Sequence, residues 1–177
     1  KDFDHLNSDG ISSRFRLQLD AFETTLRWGL DNGANRILHL GDFFHRRGYI
    51  EPQTFNFVGE LLEAYLDRYD TLTVLTGNHD ITVPGPVFNT SRMLGFLRNI
   101  NPICYPEDDY STVNHVHQIL LPFLVNHQTF QSEVRHRLPE KGIDVNLFIH
   151  QSIQNASYKG RVLDEGVNLD FLPPNVR

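Results

Sequence analysis

Residues 36 to 45 read Arg-Ile-Leu-His-Leu-Gly-Asp-Phe-Phe-His. The apolar run 37–40 predicts a buried strand that stops at Gly41. Asp42 and His45 follow at once, three residues apart. In open α/β sheets, ligand-binding groups gather just past the carboxyl ends of the strands, where a rigid scaffold holds loops that stay accessible. The stretch therefore predicts an α/β fold with a metal site at the end of this strand.

Two more short apolar runs end in possible metal ligands. The run 72–75 is followed by Thr-Gly-Asn-His-Asp at 76–80, and the run 145–149 leads directly into His150. Taken alone, each pattern has a simpler interpretation, because Gly-Asp after a strand is often only a turn and a strand-terminal histidine is often packed or solvated. Together they predict that three strands bring oxygen and nitrogen ligands to one edge.

The remaining pattern predicts helices between these strands. Ser12 or Ser13 can cap a helix with an apolar stripe from Phe15 to Leu30, which Gly33 can end. A second helix is predicted from Pro52 to about residue 69, and a third over 90–98. Residues 102–128 predict β structure with strands at 103–105, 113–116 and 118–125. A short helix at 131–138, a strand at 145–149 and a polar loop at 151–160 complete the prediction.

Composition limits the class of protein. The 177 residues are 40% hydrophobic, which suits one domain over 1–177. A net charge of −6 argues against a protein that coats nucleic acid through bulk charge, although local basic loops remain compatible with it. The single cysteine, Cys104, excludes an internal disulfide and favours a reducing compartment. No apolar run approaches the roughly 18 residues of a membrane span, so we expect a cytoplasmic or nucleoid-associated protein.

Four segments together resemble one enzyme superfamily. They are GDFFH at 41–45, GNHD at 77–80, LLPF at 120–123 and LDFL at 169–172. In order and spacing the chain resembles the calcineurin-like metallophosphoesterases, and within them the nucleases of the Mre11/SbcD type, including phage counterparts. The resemblance implies two sheets packed as a sandwich and flanked by helices, in α/β/β/α layers.

The resemblance also implies roles for individual residues. Two divalent ions, Mn²⁺ by preference, would be bridged by Asp42, with Asn78 and His150 on the second ion; oxygen and imidazole ligands suit Mn²⁺. His79 would face the scissile phosphate as a catalytic acid, and His45 would support it. Asp80 is expected to orient His79 or to cap the following turn rather than to bind metal.

Two ligand pairs of that family have no counterpart in the sequence. The family opens on a strand that ends in Asp-x-His, and a later strand ends in Gly-His-x-His. Asp2, Asp4 and His5 have suitable side chains, but no apolar strand leads to them, which favours a solvated loop. We therefore expect a domain truncated at both ends rather than one whose metal site has decayed.

Substrate and partner contacts are predicted from basic and aromatic loops. Arg46 and Arg47 follow the first motif, and Tyr158 and Lys159 lie in the polar loop near the end. Such residues bind phosphates and stack on bases, although solvated loops explain them as simply. By resemblance we expect DNA, an SMC-like ATPase of the Rad50/SbcC type, and a homodimer through the helices at 52–69 and 90–98, with no membrane.

Three functions follow from this sequence. The first is a Mn²⁺-dependent DNA exonuclease and endonuclease subunit of a repair or recombination complex. The second is a phosphoesterase acting on nucleotides, other small molecules or phosphoproteins. The third is a catalytically silent scaffold, because part of the ligand set is not in the sequence. Metal binding and the choice of substrate discriminate among them.

Overall fold

The computed structural model describes residues 6, 8, 10–44, 46–82, 89–111, 116–140 and 142–177. Two three-stranded sheets and a short hairpin alternate with helices. The elements are α1 (Ser13–Asp31), β1 (Arg36–His39), α2 (Pro52–Leu66), β2 (Thr71–Leu75), the 3-10 helix η1 (Ser91–Phe96), β3 (Ile100–Ile103), β4 (Glu107–Ser111), β5 (Val116–Leu121), α3 (His127–Arg137), β6 (Asp144–Ile149), β7 (Ser157–Tyr158) and β8 (Arg161–Val162). The predicted α/β class, with two sheets flanked by helices, is confirmed. Among the described residues, no helix is both long enough and apolar enough to cross a bilayer.

The first sheet is parallel, in the order β1-β2-β3. Its buried side chains, such as Leu72 and Val74, pack with Leu19 of α1 and with Val58 and Leu62 of α2. Because all three strands run the same way, their carboxyl ends lie at one edge. The loops after β1 and β2 therefore start side by side.

The second sheet has the order β4-β5-β6, antiparallel for the first pair and parallel for the second. Ile119 and Leu121 pack against Phe130 and Val134 of α3. After the segment 169–172, the chain returns to the second sheet. Residues 175–177 pair with the start of β6, where the Arg177 N–H donates to the Val145 carbonyl at 2.8 Å.

Local signals in the sequence account for α1. The Ser12 hydroxyl accepts from the Phe15 N–H at 3.2 Å, and Gly33 adopts a left-handed φ of 77° just past the last turn. The buried face includes Leu19 and Leu26, whereas Trp28 on the outer face is 66% exposed. The prediction of this helix is confirmed.

The first strand differs from its prediction. It ends at His39 instead of Leu40, and its residues are half-buried or exposed rather than fully buried. The cause is its position: β1 is the edge of the described sheet and pairs only with β2. Leu40, expected inside the strand, is 50% exposed.

Other boundaries differ for local reasons. The helix predicted over 90–98 is the shorter 3-10 helix η1, whose first turn is capped by the Asn89 side chain accepting from the Arg92 N–H. The strand predicted over 118–125 ends at Leu121, directly before Pro122. Helix α3 begins four residues early because the Asn126 side chain caps it. The strand predicted over 113–116 lies outside the described residues except for Val116, which opens β5.

The loop predicted over 151–160 runs into a hairpin, in which β7 pairs antiparallel with β8 just past the predicted end of the loop. Its two central residues, Lys159 and Gly160, both have positive φ, of 49° and 77°. A two-residue turn of this kind matches the twist of the strands it joins. The turn was missed because Lys-Gly is a weaker hairpin signal than Asn-Gly or Asp-Gly.

Candidate metal centre

Two glycines allow the loops after β1 and β2 to touch. Gly41 has a left-handed φ of 101°, and a Cβ there would overlap the His150 ring and stand 3.0 Å from Gly77 Cα. A Cβ on Gly77 would stand 2.9 Å from Asp42 Cγ and closer still to the Asp42 nitrogen. No other residue type fits such spacing without movement. The absence of these two side chains sets the distance between the loops.

Asp42, Asn78 and His150 converge at this edge. His150 Nε2 lies 3.0 Å from Asn78 Oδ1 and 3.4 Å from Asp42 Oδ2. The other Asp42 oxygen, Oδ1, accepts from the His79 main-chain N–H at 2.8 Å. Asp42 and Asn78 follow strands of the first sheet, and His150 follows β6 of the second. The structure thus brings together four of the residues singled out in the sequence.

Hydrogen bonding shows how this set can hold a cation. His150 Nδ1 lies 2.6 Å from the Leu40 carbonyl, which can only accept, so Nδ1 carries a proton and donates it. In neutral His150 the lone pair on Nε2 then faces the oxygens of Asn78 and Asp42. Three acceptors aimed at one another repel unless a positive charge lies among them. A metal-bound histidine typically donates its second N–H to a carbonyl in this way.

The separations also suit a divalent ion. Metal–ligand bonds of about 2.0 to 2.2 Å place neighbouring ligands about 3 Å apart, close to the 3.0 and 3.4 Å found here. Within the described residues, no cluster of three or more His, Cys, Asp or Glu side chains could hold a metal. The convergent set contains two such residues, and its third ligand is the amide oxygen of Asn78. One carboxylate, one amide oxygen and one imidazole nitrogen are a donor set that suits a divalent ion.

Asp80 lies beneath these loops and is fully buried. Its Oδ2 accepts from the Asp42 N–H at 2.9 Å and from the Gly77 N–H at 2.8 Å. Its Oδ1 accepts from the Thr90 hydroxyl at 3.2 Å and from the Phe44 N–H at 3.5 Å. Burial raises the pKa of Asp80, and these hydrogen bonds oppose the rise. The carboxylate thus binds the main chain of the other loop, a contact that the sequence analysis did not foresee.

His39 is a residue near the site that sequence reasoning missed. Its ring lies 4.8 Å from that of Phe43, and its buried Nδ1 has no hydrogen-bond partner among the described residues. Burial lowers the pKa of His39, so the ring is held neutral. The available signal was its strand alternation with Ile37, which packs on the first core.

A cavity of about 640 Å³ opens beside Asp42, between α1, α2 and the loop after β1. Phe15, Phe22, Phe43 and Tyr49 give it aromatic walls, and Arg46 contributes a positive charge. Arg46 also forms an exposed ion pair with Glu51 at 3.1 Å. The volume of the cavity is in the range of small-ligand pockets.

The other residues that the sequence predicted for catalysis or substrate binding are not part of the convergent set that the structure describes. His45 lies outside the described residues, and so does the side chain of Tyr158. Arg47 and Lys159 are exposed, and neither lines the cavity beside Asp42. The catalytic role of His45 and the substrate contacts of Arg47, Tyr158 and Lys159 stay predictions.

Comparison with known protein families finds a match over most of the chain. A family model described as calcineurin-like phosphoesterase matches residues 17–172. The match spans both sheets and includes Asp42, Asn78, His79 and His150. No curated protein matches the chain.

Proposed function

Because the chain belongs to the calcineurin-like phosphoesterase family, we propose that it is a Mn²⁺-dependent nuclease that hydrolyses phosphodiester bonds in DNA. The family implies a metal-dependent hydrolase of phosphoesters. The observation that supports the metal dependence is the convergence of Asp42, Asn78 and His150, with the His79 main chain bound to Asp42. The nuclease assignment itself rests on the GDFFH and GNHD motifs.

The chemistry requires charge neutralisation. A phosphodiester is an anion, and water attacks it slowly near neutral pH. Divalent ions held by Asp42, Asn78 and His150 would supply Lewis acidity, which offsets charge on the phosphoryl oxygens and makes water easier to deprotonate. The protein's part is to hold these ligands in place. The Leu40 carbonyl fixes the orientation of His150, and the His79 N–H fixes one oxygen of Asp42.

His79 is the proposed general acid. Its main-chain N–H donates to Asp42, and it directly follows the proposed ligand Asn78 in the same loop. A protonated ring can give its proton to the leaving 3′ oxygen, a contribution typically of about 10²- to 10⁴-fold. His45 is proposed to assist it as a second catalytic residue near the substrate.

DNA is favoured by the chemistry around the site. Arg46 and Tyr49 line the cavity beside Asp42, and Arg47 lies exposed on the same loop. Arginines bind phosphates and an aromatic ring stacks on a base. Tyr158 and Lys159 are proposed as further contacts. We place the enzyme in a DNA repair or recombination complex with an SMC-like ATPase, in the cytoplasm or on the nucleoid.

A homodimer is part of the proposal. Helix η1 exposes Met93 at 44% and Phe96 at 91%. The sequence also predicted a dimer contact through the helix at 52–69, but on α2 Phe55 and Leu61 are half-buried and pack against the first core. The exposed apolar surface that supports pairing of two copies is thus that of η1.

The decisive experiment is cleavage of an end-labelled DNA duplex with Mn²⁺ by the full-length protein and its His79→Ala variant. We expect the variant to lose about 10²- to 10⁴-fold in rate while calorimetry shows Mn²⁺ binding retained. His127→Ala, the same change at an exposed position on α3, is the matched control and should cleave normally. Unchanged cleavage by His79→Ala would refute the catalytic role.

A small-molecule phosphoesterase is the second candidate. The 640 Å³ cavity beside Asp42 is large enough for a mononucleotide. Hydrolysis of p-nitrophenyl esters or nucleotides, with no cleavage of DNA, would favour this function over the nuclease. A protein that binds no Mn²⁺ by calorimetry would instead be a catalytically silent scaffold.

A further inference from the structure

Asp42 adopts an unusual backbone conformation. Its φ of 55° lies in the left-handed region, which aspartate visits more readily than most residues but not by default. This turn aims one carboxylate oxygen at His150 and the other at the His79 N–H. If the turn relaxed, the carboxylate would leave the convergent set. Something must therefore hold the main chain of Asp42 in place.

The Asp80 carboxylate makes contacts suited to that task. Through Oδ2 it joins the Asp42 and Gly77 N–H groups, which belong to the two ligand-bearing loops. Through Oδ1 it holds the Phe44 N–H, two residues past Asp42, and the Thr90 hydroxyl. The Asp80 carboxylate thus accepts from the N–H of Asp42 itself and from the N–H of Phe44, so it holds the main chain at both ends of this turn. Asp80 is also fully buried, so water does not compete for these bonds.

Asp80 is not placed to be a metal ligand itself. An ionised carboxylate offers about four lone-pair positions, and four donors already occupy Asp80. Any effect on a metal must pass through the residues that it holds.

We propose that Asp80 is a positioning residue: its buried carboxylate, held in turn by Thr90, fixes the left-handed turn at Asp42 against Gly77 and so aims the Asp42 carboxylate at the metal. This inference rests on the proposed function, in which Asp42 binds the ion. It adds Asp80 and Thr90 to the residues on which metal affinity depends.

The chain offers a matched pair of variants. Thr90 and Ser91 are adjacent, buried and hydroxyl-bearing, but only Thr90 binds Asp80. The Ser91 hydroxyl bonds instead to the Thr76 hydroxyl at 2.9 Å and to the Asn89 side chain. Thr90→Val and Ser91→Ala each remove one buried hydroxyl. A general loosening of this region would affect both variants, whereas a loss of Asp80 support would affect only the first.

The test compares the full-length protein with its Asp80→Asn, Thr90→Val and Ser91→Ala variants. Calorimetry measures Mn²⁺ affinity, and NMR without metal records the amide proton shifts of Asp42 and Gly77, which a charged acceptor moves downfield. We expect Asp80→Asn to bind Mn²⁺ about 10- to 100-fold more weakly and to move both amides upfield. Thr90→Val should change in the same direction by less, and Ser91→Ala should match wild type.

Several results would overturn the inference. Wild-type affinity and wild-type amide shifts in folded Asp80→Asn would do so, as would equal losses in Thr90→Val and Ser91→Ala. If Asp80→Asn does not fold, the comparison of Thr90→Val with Ser91→Ala decides. If wild type binds no Mn²⁺, the proposed function fails; the amide shifts then still decide whether Asp80 holds the Asp42 turn.

Discussion

At the scale of single residues, the candidate site depends on side chains that are absent as much as on those present. Gly41 and Gly77 let two loops approach until Asp42 lies against the Gly77 backbone. The ligand geometry follows from this contact and from the Asp80 hydrogen bonds. Adding one methyl group to either glycine therefore tests the geometry of the site directly.

Gly77→Ala should disturb the Asp42 carboxylate, because the new Cβ would stand 2.9 Å from Asp42 Cγ. We expect a loss of about 1 to 3 kcal/mol in unfolding free energy and Mn²⁺ binding weakened about tenfold or more. Gly59→Ala on α2 is the control, since its Cβ would meet nothing within 4 Å. That change should raise stability by about 0.5 to 1 kcal/mol. Urea denaturation and calorimetry measure the two effects, and equal behaviour of the variants would contradict the contact.

His39 predicts a pH dependence of stability. Burial lowers its pKa in the folded protein, so the unfolded chain takes up the proton first as pH falls. The free energy of unfolding is therefore highest above pH 6.5, about the pKa of histidine in the unfolded chain. It declines as the pH falls from there toward the lower pKa of His39 in the folded protein. Replacement by leucine removes both this loss and a buried nitrogen without a partner among the described residues.

We therefore expect the free energy of unfolding of His39→Leu to equal or slightly exceed that of wild type at pH 8. The difference should grow by about 1 kcal/mol as the pH falls to 5. Urea unfolding at a series of pH values measures this difference. His127→Gln, at an exposed position on α3, should keep the wild-type pH profile. A constant difference between His39→Leu and wild type at all pH values would show that His39 is not held neutral.

Strand ends in the sequence pointed to the loops that carry Asp42, Asn78 and His150, and the resemblance to the metallophosphoesterases implied their roles as ligands. The structure places these loops on two sheets, because His150 follows β6 of the second sheet. Sequence reasoning did not identify the target of Asp80, because the Asp42 N–H that it binds is 38 residues away. It also missed His39, whose strand position resembles that of an ordinary core residue. Contacts between loops depend on tertiary packing, which no local pattern specifies.

At the scale of elements, the helix α1, whose capping residues stand in the sequence, was predicted well. The edge strand β1 and the short helix η1 were not. Ser12 and Gly33 mark the ends of α1 in the sequence itself. The burial of β1 depends on whether a neighbour covers it, and its length depends on pairing. The apolar spacing over 90–98 likewise did not distinguish the 3-10 helix η1 from an α-helix.

Helix η1 carries the proposed dimer contact, so Phe96→Asp should weaken self-association. Phe96 is 91% exposed, and a charge at the centre of an apolar interface typically costs about 2 kcal/mol or more. Leu17→Asp on α1, at a side chain 56% exposed, places the same charge on another face and should leave association unchanged. Sedimentation at several concentrations measures both. Strictly monomeric wild type at high concentration would count against the dimer.

At the scale of the whole molecule, the candidate metal centre joins the two sheets. Asp42 and Asn78 belong to the first sheet and His150 to the second, while the Phe123 N–H donates to the Thr76 carbonyl at 2.8 Å between them. An ion bound by all three ligands would tie the sheets together. Metal binding should therefore stabilise the entire fold.

Mn²⁺ at about 100 times its dissociation constant should add about 2.7 kcal/mol, which raises the melting temperature by about 5 to 10 °C. EDTA should reverse the rise. His150→Ala should abolish most of it, because the ligand from the second sheet is lost, whereas His136→Ala on the exposed face of α3 should not. Calorimetric melting with and without Mn²⁺ checks the effect. A full rise in His150→Ala would place the ion elsewhere.

Trp28, the only tryptophan in the chain, stands 66% exposed on the outer face of α1. Its fluorescence should therefore be red-shifted and readily quenched by iodide, and it should not respond to Mn²⁺ titration. The same position makes it a label-free optical reporter for any macromolecule that covers α1.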